Sequence, residues 1–420
     1  MLWSEIRTDY SDKWLVVYGK YKFYLFYFLL FLVLLLFIEV TAYLTCNFLS
    51  KYAVFYNPSL IKQDYLDYLS KRDIILGWPN RSIFGLNDEY DYDGGRISPA
   101  YSSKFKPCIS LYGDSFTWSE EVDNDHAWGN ILSIFIKCRV ANYGVVGYGT
   151  DQAFLRFKNN DKDTSNIVVL NHLSENIIRN INQFRFFIFP GKEYSFKPRF
   201  ILNPDKTISL IDTPNIKYEE INLFLKHPEK FLKHEYFLPG DQAGIGTIKF
   251  PYSLSLIKAV VSNYELIAKL HGYPRYMEFY DPEHHSQGLY ITIGIFDEFV
   301  HEAEARQKLP IISIIPTCRD LIYYQKNKVW PYKNLLDLAR EKGYPMFVNT
   351  GDYFIKKLGT ENPKKLFNSC SGHFNEIGYK MLAEIMLEFI NEKKVIEGSN
   401  FSRRSLYGVE LAKRNPGSSP

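Results

Sequence analysis

The stretch ISLYGDSFTW (Ile109–Trp118) carries a short apolar run into glycine, aspartate and serine, and then turns aromatic. A few β-prone residues ended by turn formers read as a buried strand. Gly-Asp-Ser is also common turn chemistry. Taken alone, Ser115 is either the polar end of a strand or a nucleophile, and its neighbours must decide. Working outward from Cys108, the helix DHAWGNILSIFIK (Asp125–Lys137) is followed by the strand CRVANYG (Cys138–Gly144), the helix opening DQAFLRFKN (Asp151–Asn159) and the strand NIVVLNHL (Asn166–Leu173). Much later come the strand LPIISIIPT (Leu309–Thr317), the helix PYKNLLDLAREKG (Pro331–Gly343), the strand PMFVNT (Pro345–Thr350) and the amphipathic helix NEIGYKMLAEIMLEFINEK (Asn375–Lys393). Short strands alternating with helices predict an α/β, doubly wound parallel sheet.

Between these runs, residues 183–285 break the rhythm. They hold a hairpin pattern, FKPRFILNPDKTISLID (Phe196–Asp212), and two helical runs, YEEINLFLKHPEKFLK (Tyr218–Lys233) and SLSLIKAVVSNYELIAKL (Ser253–Leu270). This reads as a large insertion laid over the sheet domain of residues 108–395. Residues 51–107, rich in Tyr, Asp, Pro and Gly, read as an irregular extension, and residues 396–420 as a flexible tail.

The chain has 420 residues, 46% hydrophobic and 23% charged, which is a globular composition. A net charge of +3 without a dense Lys/Arg run gives no sign of nucleic acid as a partner. With 32 Tyr and 32 Phe the chain is strongly aromatic, which suits a core and a sugar-binding surface equally. FYLFYFLLFLVLLLFI (Phe23–Ile38) has no charge, and after Glu39 the uncharged stretch resumes as VTAYLTCNFLS. About 20 apolar residues cross a bilayer, so residues 23–44 predict one N-terminal transmembrane helix, with Glu39 near an interface. AYLT is a poor cleavage site, which argues against a signal peptide. Lys13, Lys20 and Lys22 precede the span while Lys51 stands nearly alone after it. That bias predicts residues 1–22 in the cytoplasm and the bulk exported at the cell membrane.

In a doubly wound sheet, ligands bind beyond the carboxyl ends of the strands. Ser115 follows the first strand. NYGVVGYGTDQ (Asn142–Gln152) follows the second and brings Gly144, Gly147 and Gly149. NHLSENIIRN follows the third and brings Asn176, and CSGHFNEIGY follows the fifth and places His373 just before a helix. A hydroxyl, a flexible turn, an amide and an imidazole thus converge on one edge. His126 and His172 read as structural. His284 and His285 in DPEHHSQG are adjacent on one element, read as a helix start rather than metal ligands, and no cofactor is expected.

These residues resemble the SGNH/GDSL hydrolase family. The resemblance rests on Gly113-Asp114-Ser115, on Gly147, on Asn176 and on His373, in family order and on the matching elements. It implies a flavodoxin-like sheet and a serine ester hydrolase. Ser115 would be the nucleophile, His373 the base, and the Ser115 and Gly147 N–H groups with the Asn176 amide the oxyanion donors. Asp114 would play a supporting part. Gly144 or Gly149 could share the role of Gly147, and SENIIRN also reads as a helix start with Asn176 as its cap.

One position departs from the pattern. The family's usual aspartate, three residues before the histidine, is Cys370 here, and Asn368, Ser371 and Gly372 supply no carboxylate. That leaves a Ser–His dyad oriented by a carbonyl, an acid from elsewhere, or a silent glycan-binding domain. Cys318 follows the fourth strand, so a Cys318–Cys370 bridge could pin the histidine loop in an exported domain, with Cys108 and Cys138 at the starts of the first two strands. Four free thiols is the alternative. The resemblance implies acylated cell-envelope glycans or lipids as substrates. Exported relatives also transfer acyl groups to surface polysaccharides, which would bring in a polytopic membrane acyltransferase as partner.

Overall fold

The computed structural model describes residues 2–52, 54–57, 65–189, 196–241, 243–261 and 270–396. The chain divides into two units. One comprises residues up to 72 with 182–197 and 213–275, the other residues 73–181 with 198–212 and 276 onward.

The second unit is built on a five-stranded sheet. Its strands are β1 (Ile109–Tyr112), β2 (Val140–Asn142), β3 (Ile167–Leu173), β6 (Leu309–Ile315) and β7 (Phe347–Asn349). They lie in the order β2-β1-β3-β6-β7, and every pairing is parallel. Counted within the sheet alone this is the 2-1-3-4-5 order of a flavodoxin-like doubly wound fold. Every residue of β1, β2, β3 and β6 is buried. That is why these strands read as continuous apolar runs rather than alternating ones: helices cover a parallel sheet on both faces. The Trp128–Ile136, Thr350–Leu358 and Glu376–Glu392 helices pack together, as do the Thr150–Lys158, Gly288–Ala305 and Lys333–Lys342 helices. The hairpin of β4 (Arg199–Leu202) and β5 (Ile208–Ile211) is antiparallel and belongs to this unit. It sits so close to the Gly288–Ala305 helix that a Cβ on Gly294 would come within 2.5 Å of Ile208.

In the first unit a single helix runs from Leu2 to Ser50, longer at both ends than the span read from the sequence. Every residue from Tyr21 to Ile38 is exposed. Burial starts just past Glu39, where Ala42 and Cys46 turn one face of the helix toward the Tyr252–Val261 helix. Elsewhere in this unit Phe184 stacks on Phe196 at 4.5 Å, and Phe224 meets both edge-on. The buried Glu235 carboxylate there accepts hydrogen bonds from the backbone N–H groups of Gln183, Phe184 and Phe237. Of the second helical run, residues 262–269 lie outside the described residues.

Candidate active site

β1 ends at Tyr112, and the chain must turn sharply to present Ser115. Gly113 allows this, because a Cβ there would stand 1.9 Å from Thr117 Oγ1. Asp114 then caps the one-turn helix Ser115–Trp118, its Oδ1 accepting from the Phe116 N–H at 2.9 Å. Burial raises the Asp114 carboxyl pKa, opposed by the Arg179 guanidinium 3.6 Å away. The β2 loop is tied to the same turn. Asn142 Nδ2 donates to Thr117 O at 2.7 Å, and Val145 N–H donates to Gly113 O at 3.1 Å.

His373 Nε2 lies 2.8 Å from Ser115 Oγ. Its other ring nitrogen, Nδ1, lies 2.9 Å from Glu121 Oε1. The carboxylate that the sequence does not place beside His373 therefore arrives from the turn just after the Ser115–Trp118 helix. Neither a carbonyl nor a bare dyad orients the ring. Asn368 Nδ2 donates to Glu121 Oε2 at 2.9 Å and holds the far oxygen. Burial raises the Glu121 pKa, but the hydrogen bonds from His373 and Asn368 outweigh it and leave the carboxyl below its ordinary range. Glu120 Oε2 also comes within 3.1 Å of His373 Nε2, so that nitrogen faces a hydroxyl and a carboxylate together.

The turn carrying Glu121 is an unusual piece of backbone. Ser119 and Glu121 both adopt left-handed conformations, with φ of 72° and 71°, which non-glycine residues seldom visit. Such a turn persists only where its surroundings over-determine it, and here Arg96 does so. Its buried guanidinium donates to Trp118 O and Ser119 O at 2.6 Å, to Val122 O at 2.7 Å and to Asn124 Oδ1 at 2.8 Å. Tyr379 OH donates to Glu120 O at 3.1 Å from the last helix. Nothing in the spacing around Arg96 marks it for this task. The only sequence signal is an arginine in a segment otherwise full of turn formers.

The loop bearing His373 is closed by its own backbone, with the Asn368 N–H on His373 O at 3.1 Å. Cys318 and Cys370 are joined by a disulfide with Cα atoms 5.2 Å apart, which ties this loop to the carboxyl end of β6. Cys108 and Cys138 form a second bridge, and Cys46 is free and buried.

Gly147 has φ of 84°, a left-handed position that suits glycine and singles it out from Gly144 and Gly149. Its N–H and that of Ser115 donate to no backbone carbonyl among the described residues. Asn176 opens a one-turn helix, Asn176–Arg179, and its fully buried amide makes no hydrogen bond of ordinary geometry among the described residues. The end of β3 that carries it is pinned to the β6 loop through Asp320. That carboxylate accepts from Ser174 Oγ, and also from Tyr276 OH and the Thr317 N–H, each at 2.8 Å. Burial pushes the Asp320 pKa up to about 6 even so.

The remaining histidines stay outside this cluster. His172 is buried between Thr150 Oγ1 at 2.7 Å and Tyr280 OH at 2.8 Å, and burial pushes its pKa down to about 3. His126 pairs with Asp123 at 2.7 Å. His284 and His285 stack on each other in a turn ahead of the helix, which starts at Gly288 rather than at the pair. A separate cavity of about 320 Å³ opens between Tyr148, Arg156, Phe84 and Tyr92, and neither Ser115 nor His373 lines it.

No family model and no curated protein matches the chain. Among solved structures it is similar to a lipolytic protein of the G-D-S-L family from Desulfitobacterium hafniense, at 12% identity and a TM-score of 0.30, over 67% of this chain and 98% of that one. A member of the same family from Veillonella parvula matches at 13% identity and 0.29, over 67% and 96%. A lipase/acylhydrolase from Enterococcus faecalis matches at 12% identity and 0.33, over 70% and 98%. Two of the three carry the family name that the Gly-Asp-Ser motif resembles. Likenesses this remote assign no activity, which has to come from the chain's own geometry.

Proposed function

We propose that the protein is a serine ester hydrolase of the SGNH/GDSL kind, anchored in a membrane by its N-terminal helix. The observation that carries the reading is the relay from Ser115 Oγ through His373 to Glu121, with contacts of 2.8 and 2.9 Å. A serine hydroxyl is a weak nucleophile until a base takes its proton, and the base works best when a third group fixes its tautomer. In the first half-reaction Ser115 Oγ bonds to the acyl carbon while its proton passes to His373 Nε2. The oxyanion is held by the Ser115 and Gly147 N–H groups and the Asn176 amide, one such donor being worth about 2.7–4 kcal/mol of barrier. Collapse breaks the bond to the leaving alkoxide, which takes the proton back from Nε2 and leaves an acyl-Ser115. Water, or a sugar hydroxyl, then gives its proton to Nε2 and attacks that acyl carbon, and the bond to Ser115 Oγ breaks as Nε2 returns the proton to that oxygen. Glu120 must swing away from Nε2 for this to proceed, and its partly exposed side chain is free to turn into solvent.

The substrate class that fits this reading is an acylated glycan or lipid of the cell envelope. The test is a fluorophosphonate, which should label the folded protein on Ser115 alone, as read by peptide mapping. Adding a polyhydroxyl acceptor to acyl-loaded enzyme then separates hydrolysis from transfer: free acid reports an esterase, acylated sugar an O-acyltransferase. Labelling elsewhere, or none in folded protein, overturns the nucleophile assignment.

Arg96 acts in this scheme as a positioning residue, remote from substrate. Arg96→Ala leaves three carbonyls and an amide oxygen without their donor and should cost about 2–4 kcal/mol of stability. In the protein that remains folded, turnover should fall with little change in KM. Arg96→Lys should rescue stability more than turnover, since an ammonium cannot reproduce the planar fork. A variant with full turnover and lowered melting temperature would show a merely structural role.

A further inference from the structure

The Tyr252–Val261 helix is apolar on two faces. Ser255 and Ala259 are buried and Leu256 is partly so, packed against Cys46 and Leu49 of the N-terminal helix and against Phe55. The opposite face holds Leu254 (51% exposed), Ile257 (57%), Val260 (50%) and Val261 (64%), with Phe250 (74%) just before it. A water-facing helix would carry polar residues there. A contiguous exposed apolar patch of this kind marks something that covers it.

Its place on the N-terminal helix says what the cover is. The exposed residues from Tyr21 to Ile38 rise about 27 Å at 1.5 Å per residue, close to the thickness of a hydrocarbon core. Glu39 ends that stretch, and its carboxylate accepts from the Tyr252 N–H at 2.5 Å and from Ser253 Oγ. The shorter helix therefore starts at the level where the anchor leaves the acyl chains. Lys249 and Lys258 stand exposed beside the apolar residues. Cations flanking an apolar face are the composition of an interfacial helix, with its ammonium groups among lipid phosphates.

We infer that Phe250–Val261 is a second membrane contact, an interfacial helix lying in the leaflet from which the N-terminal helix emerges. Phe250, Leu254, Ile257, Val260 and Val261 reach the boundary between headgroups and acyl chains. The occupant of the patch is phospholipid. The inference rests on reading the N-terminal helix as a membrane span, and its test separates the two.

The full chain carrying Cys46→Ala is reconstituted in phosphatidylcholine–phosphatidylglycerol vesicles with a nitroxide on one introduced cysteine. Positions are Ile257→Cys, Val261→Cys, Leu32→Cys for the span and Asp205→Cys for solvent. Collision with oxygen, which partitions into lipid, is compared with collision with a water-soluble nickel chelate. At Ile257 and Val261 the oxygen-to-nickel ratio should stand several-fold above that at Asp205, and Leu32 should exceed both. A lipid reading at Leu32 with a solvent reading at Ile257 and Val261 overturns the interfacial helix and leaves the anchor standing. A solvent reading at Leu32 removes the anchor and this inference with it. Low collision with both reagents at Ile257 and Val261 means that protein covers the patch, which also overturns it. Should the Ile257 label prevent insertion, Leu254→Cys reports on the same face.

Discussion

Replacing Ser115 or His373 by alanine should lower the turnover of a short-chain aryl ester by about 10⁴- to 10⁶-fold. The two residues share one proton, so the double variant should be no slower than either single one. Serine without its base is a poor nucleophile, and the base without the serine has nothing to activate. The residual rate would come from the oxyanion donors and from binding. Ser115 lies buried as the first residue of a one-turn helix and makes its side-chain bond to His373, so its loss leaves the sheet intact. Kinetics on purified variants, with circular dichroism to establish folding, make the check. A folded Ser115→Ala protein with full activity would end the assignment. Additive losses in the double variant would mean that the two act in separate steps.

The second large effect falls on Glu121. Its Oε1 sits 2.9 Å from His373 Nδ1 and accepts a hydrogen bond from the N–H there, which leaves the lone pair of Nε2 facing Ser115. Glu121→Ala should cost about 10²- to 10⁴-fold in turnover, with KM little changed. Glu121→Gln is predicted to be no better, although it is the closer match in shape. The amide can aim its NH₂ at Nδ1, and the ring then carries its proton on Nε2, where it cannot act as a base. Asn368 favours that outcome because it donates to Oε2 and leaves the other position for the NH₂. A Glu121→Gln enzyme with near-native turnover would mean that Glu121 does not set the tautomer of His373.

Much of the sheet unit was legible because its signals are local. Each of the five parallel strands is a short apolar run closed by turn formers, and Gly113, Asp114 and Ser115 sit where such a run must end. Ser115 and His373 could be placed together from topology alone, because both follow strands at the carboxyl edge. The acid could not. In WSEEV (Trp118–Val122) the two glutamates read as solvated charges after a helix, and no rule of spacing says that Glu121 adopts a left-handed turn and points back. That turn depends on Arg96, from a segment that reads as irregular because its order comes from side-chain to backbone hydrogen bonds rather than from periodicity. The helix start read in DPEHHSQG (Asp281–Gly288) falls at the end of that stretch, past the two histidines. The pair stacks within a turn, and the helix waits for Gln287, itself left-handed, to set its first residue.

On the proposed function, the Cys318–Cys370 bridge bears on when the protein becomes active as well as on how. The proposed nucleophile, the proposed acid and the turn between them lie within seven residues, Ser115 to Glu121. The base comes from the far end of the chain, and its loop receives a covalent tether only once two thiols have been oxidised. In a reducing compartment such bridges are rare, and a newly made chain there would have its nucleophile in place while the base loop lacked its staple. If the proposed activity and export both hold, oxidation after export would be the last step of maturation, a safeguard that keeps the site quiet among cytosolic esters until the protein reaches its place of work.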